Sequence, residues 1–354
     1  MPENTNFSGR LDKITPEILS KIAQIEALKG EWIAGARLNP QALGRLKKSV
    51  LITSAGASTR IEGARLDDED VEKLMNGLKI QKFADRDKQE VRGYYELLEK
   101  IFNSWKSIKF SENTIKHFHK EILKYVEKDE RHRGNYKKTE NRVEMFDASG
   151  KLIGVVFEPT PAYLTPKEMQ ELADWTINAL KEEKYHPLLV VGNFIVEFLK
   201  IHPFQDGNGR LSRILTNFLL LKTGYLYMPY ISHEKLIEDN KSEYYIALRK
   251  SQKTTGDNIV GNIASWLNFF LSVLLEQSKK ALNLLSDEAI EKILSPKQLL
   301  VWQYLQNVSE ATPSEIAKRA KVARPTVNQS LDTLLRLKRI ERIGQGRSTI
   351  YKKL

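Results

Sequence analysis

His202-Pro203-Phe204-Gln205-Asp206-Gly207-Asn208-Gly209-Arg210, running on into Leu211-Ser212-Arg213, is the stretch of this 354-residue chain from which the rest is read. Two glycines bracket Asn208 and free the backbone to expose consecutive N–H groups. An apolar helical run from Gly209 to Lys222 follows at once and brings the partial positive charge of a helix start. Glycine-rich turn and helix N-terminus together form an anion-binding nest suited to phosphates. Arg210 and Arg213 stand three apart, share one helix face, and repel each other unless an anion lies between them. Asp206 offers a hard oxygen of the kind that holds Mg²⁺. His202, just outside the nest, is the only side chain there able to act as a base near pH 7.

Working outward, the pattern up to about residue 135 is helical. Helices are expected over Pro40 to Ser54, where Leu43, Leu46, Val50 and Leu51 recur at helical spacing, over Leu66 to Leu78, and over Asp87 to Trp105. Asn141 to Glu158 breaks the trend: Val143, Met145, Leu152, Val155 and Phe157 flank Asp147-Ala148-Ser149-Gly150, which reads as a β-hairpin closed off by Pro159, Pro161 and Pro166. Helices resume over Pro166 to Leu180, Pro187 to Lys200 and Gly209 to Lys222, the last capped by Gly224.

Composition bounds the function. The absence of cysteine excludes disulfides, thiolate zinc sites and cysteine nucleophiles. Met1 to Arg10 has no apolar core of a signal peptide, so a cytoplasmic protein is expected. Ile259 to Leu275 carries no charge, but Asn262, Ser265, Asn268 and Ser272 mark one polar stripe, so a buried amphipathic helix is expected there and no membrane span.

The net charge of +11 is concentrated at one end: Glu291 to Leu354 holds thirteen Lys/Arg against five acids, a net +8. Ser295-Pro296 starts a helix with Leu300, Val301, Tyr304 and Leu305. Thr312-Pro313-Ser314-Glu315 is a capping box with proline at the first helical position. Pro325 opens a third helix with Val327, Leu331, Leu334 and Leu335 on one face, and Ile340 to Tyr351 reads as a small hairpin around Gly344 and Gly346. Three helices and a wing make a winged helix-turn-helix pattern. Arg324, Thr326, Asn328 and Gln329 would lie where a recognition helix reads base edges, with Arg342, Arg347, Lys352 and Lys353 on phosphates. Protein interaction or dimerisation is the alternative use of such a module.

His-Pro-Phe-x-Asp-Gly-Asn-Gly-Arg-x-x-Arg is the signature of the Fic (filamentation induced by cyclic AMP) family, and residues 202 to 213 resemble it at every specified position. The likeness extends over roughly residues 40 to 275. It implies a mainly α fold with a helical Fic core and a β-hairpin flap (141–158); the chain is expected to divide into an N-terminal helical region over 1–90, the Fic core over 91–285 and, on its own residue pattern, the winged helix-turn-helix over 290–354. It implies AMP transfer from ATP, with Mg²⁺, to a Ser, Thr or Tyr hydroxyl of a protein target or of the chain itself. In that chemistry His202 deprotonates the hydroxyl and Asp206 holds the metal. Gly207, Asn208, Gly209 and Arg210 cradle the phosphates, and Arg213 reaches the γ-phosphate. Tyr244-Tyr245 resembles a pair lining the adenine pocket, although Gln252 stands where the family often has asparagine.

Ser58-Thr59-Arg60-Ile61-Glu62-Gly63 resembles the family's inhibitory motif, in which Ser58, Glu62 and Gly63 are the specified positions. A glutamate set against Arg213 would neutralise it and take the γ-phosphate space. Two other functions remain open: a DNA-binding regulator that uses the Fic region as a nucleotide sensor, and a hydrolase that removes AMP. The family resemblance also implies a homodimer. His132 and His186 are read as structural or solvated.

Overall fold

The computed structural model of the protein describes residues 5–11, 14–35, 40–77, 85–141, 143–146, 152–252, 263–336, 339–344 and 349–354. Residues Met1–Leu282 form one compact unit and Asn283–Leu354 another.

In the first unit a short helix α1 (Thr5–Ser8) and α2 (Pro16–Gly35) precede α3 (Pro40–Ile61). The polar run Ser58 to Arg60 does not end α3, which continues through it; Ser58 and Thr59 are buried, and Thr59 Oγ1 returns its proton to the Ala55 and Gly56 carbonyls (2.9 Å each). The stop comes at Gly63, at φ 106°, where the Gly63 N–H donates to Arg60 O (3.1 Å) and the Ala64 N–H to Thr59 O (3.1 Å). That left-handed turn suits glycine and leaves Glu62 at the helix C-cap. Asp67 then caps α4 (Asp68–Met75), accepting from the Asp70 N–H at 2.8 Å, and α5 (Asp85–Ser104) follows.

α6 (Glu112–Ile122) is capped by Ser111, and the expected hairpin pairs β1 (Val143–Phe146) antiparallel to β2 (Leu152–Phe157), with Val143 opposite Phe157. Its expected turn, Asp147 to Gly150, lies outside the described residues. α7 (Thr165–Glu182), α8 (Pro187–Ile201) and α9 (Asn208–Lys222) come close to their expected limits. α8 is apolar apart from Asn193, Glu197 and Lys200, and is buried from Leu188 to Leu199. α9 is buried from Asn208 to Leu221 except at Gly209, and ends with Gly224 at φ 95°. These two helices are the centre of the unit, and the His202 to Gly207 loop joins them. α10 (His233–Asp239), α11 (Lys241–Gln252) and α12 (Ala264–Ile293) as far as Leu282 complete it. On α12, Trp266, Leu267, Phe270 and Leu271 are buried while Ser272 is exposed, as the polar stripe requires; Asn262 lies outside the described residues. Among the described residues no helix is long and apolar enough to cross a membrane.

The second unit runs α13 (Pro296–Gln306), α14 (Pro313–Arg319), α15 (Arg324–Arg336), then β3 (Ile340–Ile343) antiparallel to β4 (Ile350–Lys353). Thr312 and Glu315 form the expected capping box. Val301, Trp302, Leu305, Ile316, Val327, Leu331, Leu334, Ile340 and Tyr351 build its core. Leu300 on α13 is 47% exposed, whereas Val301, Trp302 and Leu305 are buried.

Candidate active site

His202 is the C-cap of α8, at φ 51° and ψ 60°, with its N–H donating to Phe198 O (2.9 Å). A left-handed non-glycine residue costs about 1–3 kcal/mol and persists only where its surroundings dictate it. Here they do. The Lys137 N–H donates to Pro203 O (2.9 Å), Lys137 Nζ to Ile201 O (3.2 Å) and Asn141 Oδ1 (2.8 Å), and Asn141 Nδ2 to Phe204 O (3.0 Å). Asn208 closes the loop on itself: its Oδ1 accepts from the Phe204 N–H (3.0 Å) and its Nδ2 donates to Phe204 O (2.7 Å). The Asn208 side chain is thus committed to the loop, and its backbone remains for the nest.

The His202 imidazole packs edge-on to Phe157 of β2, 6.1 Å between ring centres. Burial pushes its pKa down to about 4; the Leu199 carbonyl opposes this and the Lys137 charge adds to it. The ring is therefore neutral at pH 7, which is the form a base needs.

Gly207, at φ 78°, is the N-cap of α9, and its N–H donates to Asp206 Oδ1 (2.6 Å). Arg210, 3% exposed, pairs with Glu90 Oε2 (2.7 Å) and Asp206 Oδ2 (3.2 Å). Arg86 Nη2 also meets Asp206 Oδ2, while Arg86 Nε bonds Glu90 Oε1 (2.9 Å). Burial works against the charged form of Asp206, but Arg210, the Gly207 amide and Arg86 outweigh it and hold the carboxyl below its usual range. Among the described residues no group of three or more His, Cys, Asp or Glu side chains could hold a metal unaided. One carboxylate beside a phosphate nest nevertheless fits Mg²⁺, which takes one or two carboxylates together with substrate phosphates.

Arg213 is the most enclosed charge of the site, 2% exposed. Its Nε donates to Ser58 Oγ (2.8 Å), and its Nη2 to Ser58 O (2.8 Å) and Glu62 Oε1 (2.7 Å). Burial would lower its pKa, but Glu62 first, then the Tyr244 and Tyr94 hydroxyls, drive it up. The Glu62 carboxylate also lies over the start of α9: a Cβ added to Gly209 would run into Oε1 and stand 3.0 Å from Cδ. An acid at a helix C-cap is disfavoured by its own helix dipole, and the opposing N-terminus of α9 offsets this. Ser58, Glu62, Gly209 and Arg213 are thus brought together as the two motifs suggested.

The tyrosine pair divides. Tyr244 is 3% exposed and packs on Trp266 and Phe269 at 5.9 and 5.8 Å. Tyr245 is half-buried, with its hydroxyl donating to Ile61 O at 3.4 Å. In the second unit Arg324, Asn328 and Gln329 are exposed and Thr326 partly so; Arg324 Nη1 is bonded to Ser314 Oγ. Arg347 lies outside the described residues.

Sequence reasoning missed His119, Arg86, Glu90 and Lys137. His119 is fully buried and stacks on Phe204 (ring centres 3.8 Å apart, planes 10°). Its Nδ1 accepts from the Gly134 N–H (2.9 Å), which leaves the proton on Nε2 to donate to Asp206 O (3.0 Å). Burial drives its pKa to about 4. Its signal was a histidine on the apolar stripe of α6, among Ile115, Phe118 and Ile122. Arg86 and Glu90, an i,i+4 pair, read in sequence as an ordinary solvated helix face.

Residues 109–220 match the Fic/DOC family. The chain is 35% identical over 92 residues to a probable protein adenylyltransferase of Aquifex aeolicus (strain VF5), covering 24% of this chain and 26% of that one. It is 37% identical over 81 residues to the protein adenylyltransferase Fic of Drosophila willistoni, covering 23% of this chain and 15% of that one. The chain thus spans about a quarter or less of the length of these relatives. Its fold is similar to a Fic family protein from Desulfovibrio desulfuricans G20, with TM-score 0.62 and 24% identity over 97% of each chain. The matched segment contains His119, the hairpin, the His202 to Gly207 loop and most of α9, so the part of the chain that carries the candidate chemistry is the part that matches the Fic/DOC family.

Proposed function

We propose that this chain is a protein adenylyltransferase, moving AMP from ATP to a Ser, Thr or Tyr hydroxyl of a protein, itself included, with residues 91–285 as the catalytic core. One observation carries the reading: the neutral imidazole of His202 stands at the edge of a helix-start nest that is backed by two buried arginines. His202 Nε2 takes the hydroxyl proton as that oxygen bonds the α-phosphorus, and the bond to the departing pyrophosphate breaks. The backbone of Gly207, Asn208 and Gly209 and the guanidiniums of Arg210 and Arg213 hold the phosphate oxygens in line. A Mg²⁺ ion held by Asp206 would neutralise charge on the pyrophosphate. The hairpin presents the target segment by strand addition. Tyr245, the more open of the pair, is the better candidate for the adenine ring.

The resting site is held off by Glu62, supported by its bond to Arg213 and its place over Gly209. Incubation with α-labelled ATP and Mg²⁺ tests the chemistry: His202→Ala lowers label transfer about 100-fold or more, the loss of a general base. Equal labelling of both proteins would sink it.

We also propose that the second unit, a winged helix-turn-helix, binds duplex DNA. The supporting observation is the turn between α14 and α15, where Lys321 stands at φ 54° in a position easier for glycine. Lys318, Arg319, Lys321 and Arg324 gather there, with no acid between Ile316 and Leu331.

A further inference from the structure

Each charged side chain of the nest is already paired with a residue from outside the 202–213 segment. Arg213 has Glu62, Arg210 has Glu90, and Asp206 has Arg86. These pairs differ in permanence. Arg210 and Glu90 are both enclosed, at 3% and 10% side-chain exposure, so that pair is a fixture of the fold. Arg86 is 47% exposed, and its hold on Asp206 is screened by water and readily exchanged.

Arg86 also has somewhere to go. Its Nη2 lies 3.6 Å from Asp129 Oδ2, a buried oxygen that accepts no hydrogen bond. An unsatisfied buried acceptor is costly, so a donor arriving there is stabilising. One guanidinium therefore stands between two carboxylates: the one suited to the metal, and one still lacking a donor. Arg86 Nε stays on Glu90 in either case, so the exchange needs only a swing of the outer guanidinium nitrogen.

We propose that Arg86 is an exchangeable cation at the metal position, resting on Asp206 and passing to Asp129 when Mg²⁺ and nucleotide enter. Arg86 and Asp129 are then positioning residues that set the metal requirement of the site. The inference rests on the reading of the nest as a nucleotide site. It adds a second internal lock besides Glu62, one that responds to metal concentration.

The test is calorimetric titration of ATP into the full chain at a series of free Mg²⁺ concentrations, reading the concentration that gives half of the full affinity gain. Arg86→Gln should lower that half-point roughly two- to five-fold, as removal of a competing exposed ion pair does. Asp129→Asn should raise it, because the displaced guanidinium loses its anionic partner. Arg92→Gln removes the same charge from the same helix but touches Glu96 and Tyr125 instead, and should leave the half-point in place. An Arg86→Gln half-point that is unchanged, raised, or shifted no more than that of Arg92→Gln overturns the proposal, as does an unaltered half-point in Asp129→Asn. If the wild-type chain binds no ATP at any Mg²⁺ concentration, the nucleotide reading falls and this inference with it.

Discussion

Replacing His119 by alanine tests how the His202 to Gly207 loop is held. The change removes the Gly134 N–H to Nδ1 and Nε2–H to Asp206 O hydrogen bonds and the stack on Phe204, and it opens a hole in a fully buried position. Two net hydrogen bonds at ~1 kcal/mol each, a stack at ~1 and the cavity together come to about 3–5 kcal/mol. For a unit of this size that lowers Tm by roughly 6–15 °C. Scanning calorimetry separates the transitions of the two compact units and reads the loss in the larger one. The wild type adds a pH signature. Because the folded pKa of His119 is about 4, below the ordinary unfolded value near 6.5, its contribution is fully present above 6.5 and is lost as pH falls toward 4. Its share of that loss is up to about 3 kcal/mol. His202 and His233, also lowered, add to the slope, so His119→Ala should flatten it without abolishing it. A variant within ~2 °C of wild type at pH 7.5, with the same decline toward pH 5, would refute the reasoning.

Three further outcomes follow from single residues. Gly63→Ala meets no neighbour within 4 Å but must hold φ 106°, so it should cost about 1 kcal/mol, loosen Glu62 and raise self-labelling above wild type. Asn208→Ala breaks both ties to the Phe204 backbone and should reduce AMP transfer while the chain stays folded by circular dichroism. Lys321→Gly removes one charge and one positive-φ strain: in anisotropy titrations with duplex DNA its salt slope should fall by about 0.9 while thermal stability holds or rises.

Much of this arrangement is legible in the sequence, because the loop and its flanking helices are local features. The glycines at 207 and 209, the apolar run after them and the arginine pair lie within the sixteen residues from 207 to 222, and the spacing Ser58 to Gly63 is equally local. What escaped notice depends on long-range packing. His119 and Asp206 are 87 positions apart, and Arg86 and Asp206 120 apart; nothing in either segment announces that α5 and α6 converge on the loop. The two neighbouring tyrosines on α11 have different surroundings, Tyr244 buried and Tyr245 half-buried, which depends on the packing of α12 and is not visible in the local sequence.

The central claim is that Arg213 spends its resting state on Glu62 and needs release before AMP can be transferred. Mass spectrometry of the intact chain after a fixed incubation with ATP and Mg²⁺ measures this directly in wild type, Glu62→Gly and the Glu62→Gly/His202→Ala double variant. The account predicts that Glu62→Gly carries roughly ten-fold more AMP than wild type or better, the rate gain from ~1.4 kcal/mol of relieved barrier, and that the double variant carries none. Equal AMP on wild type and Glu62→Gly, with both proteins folded, would contradict it.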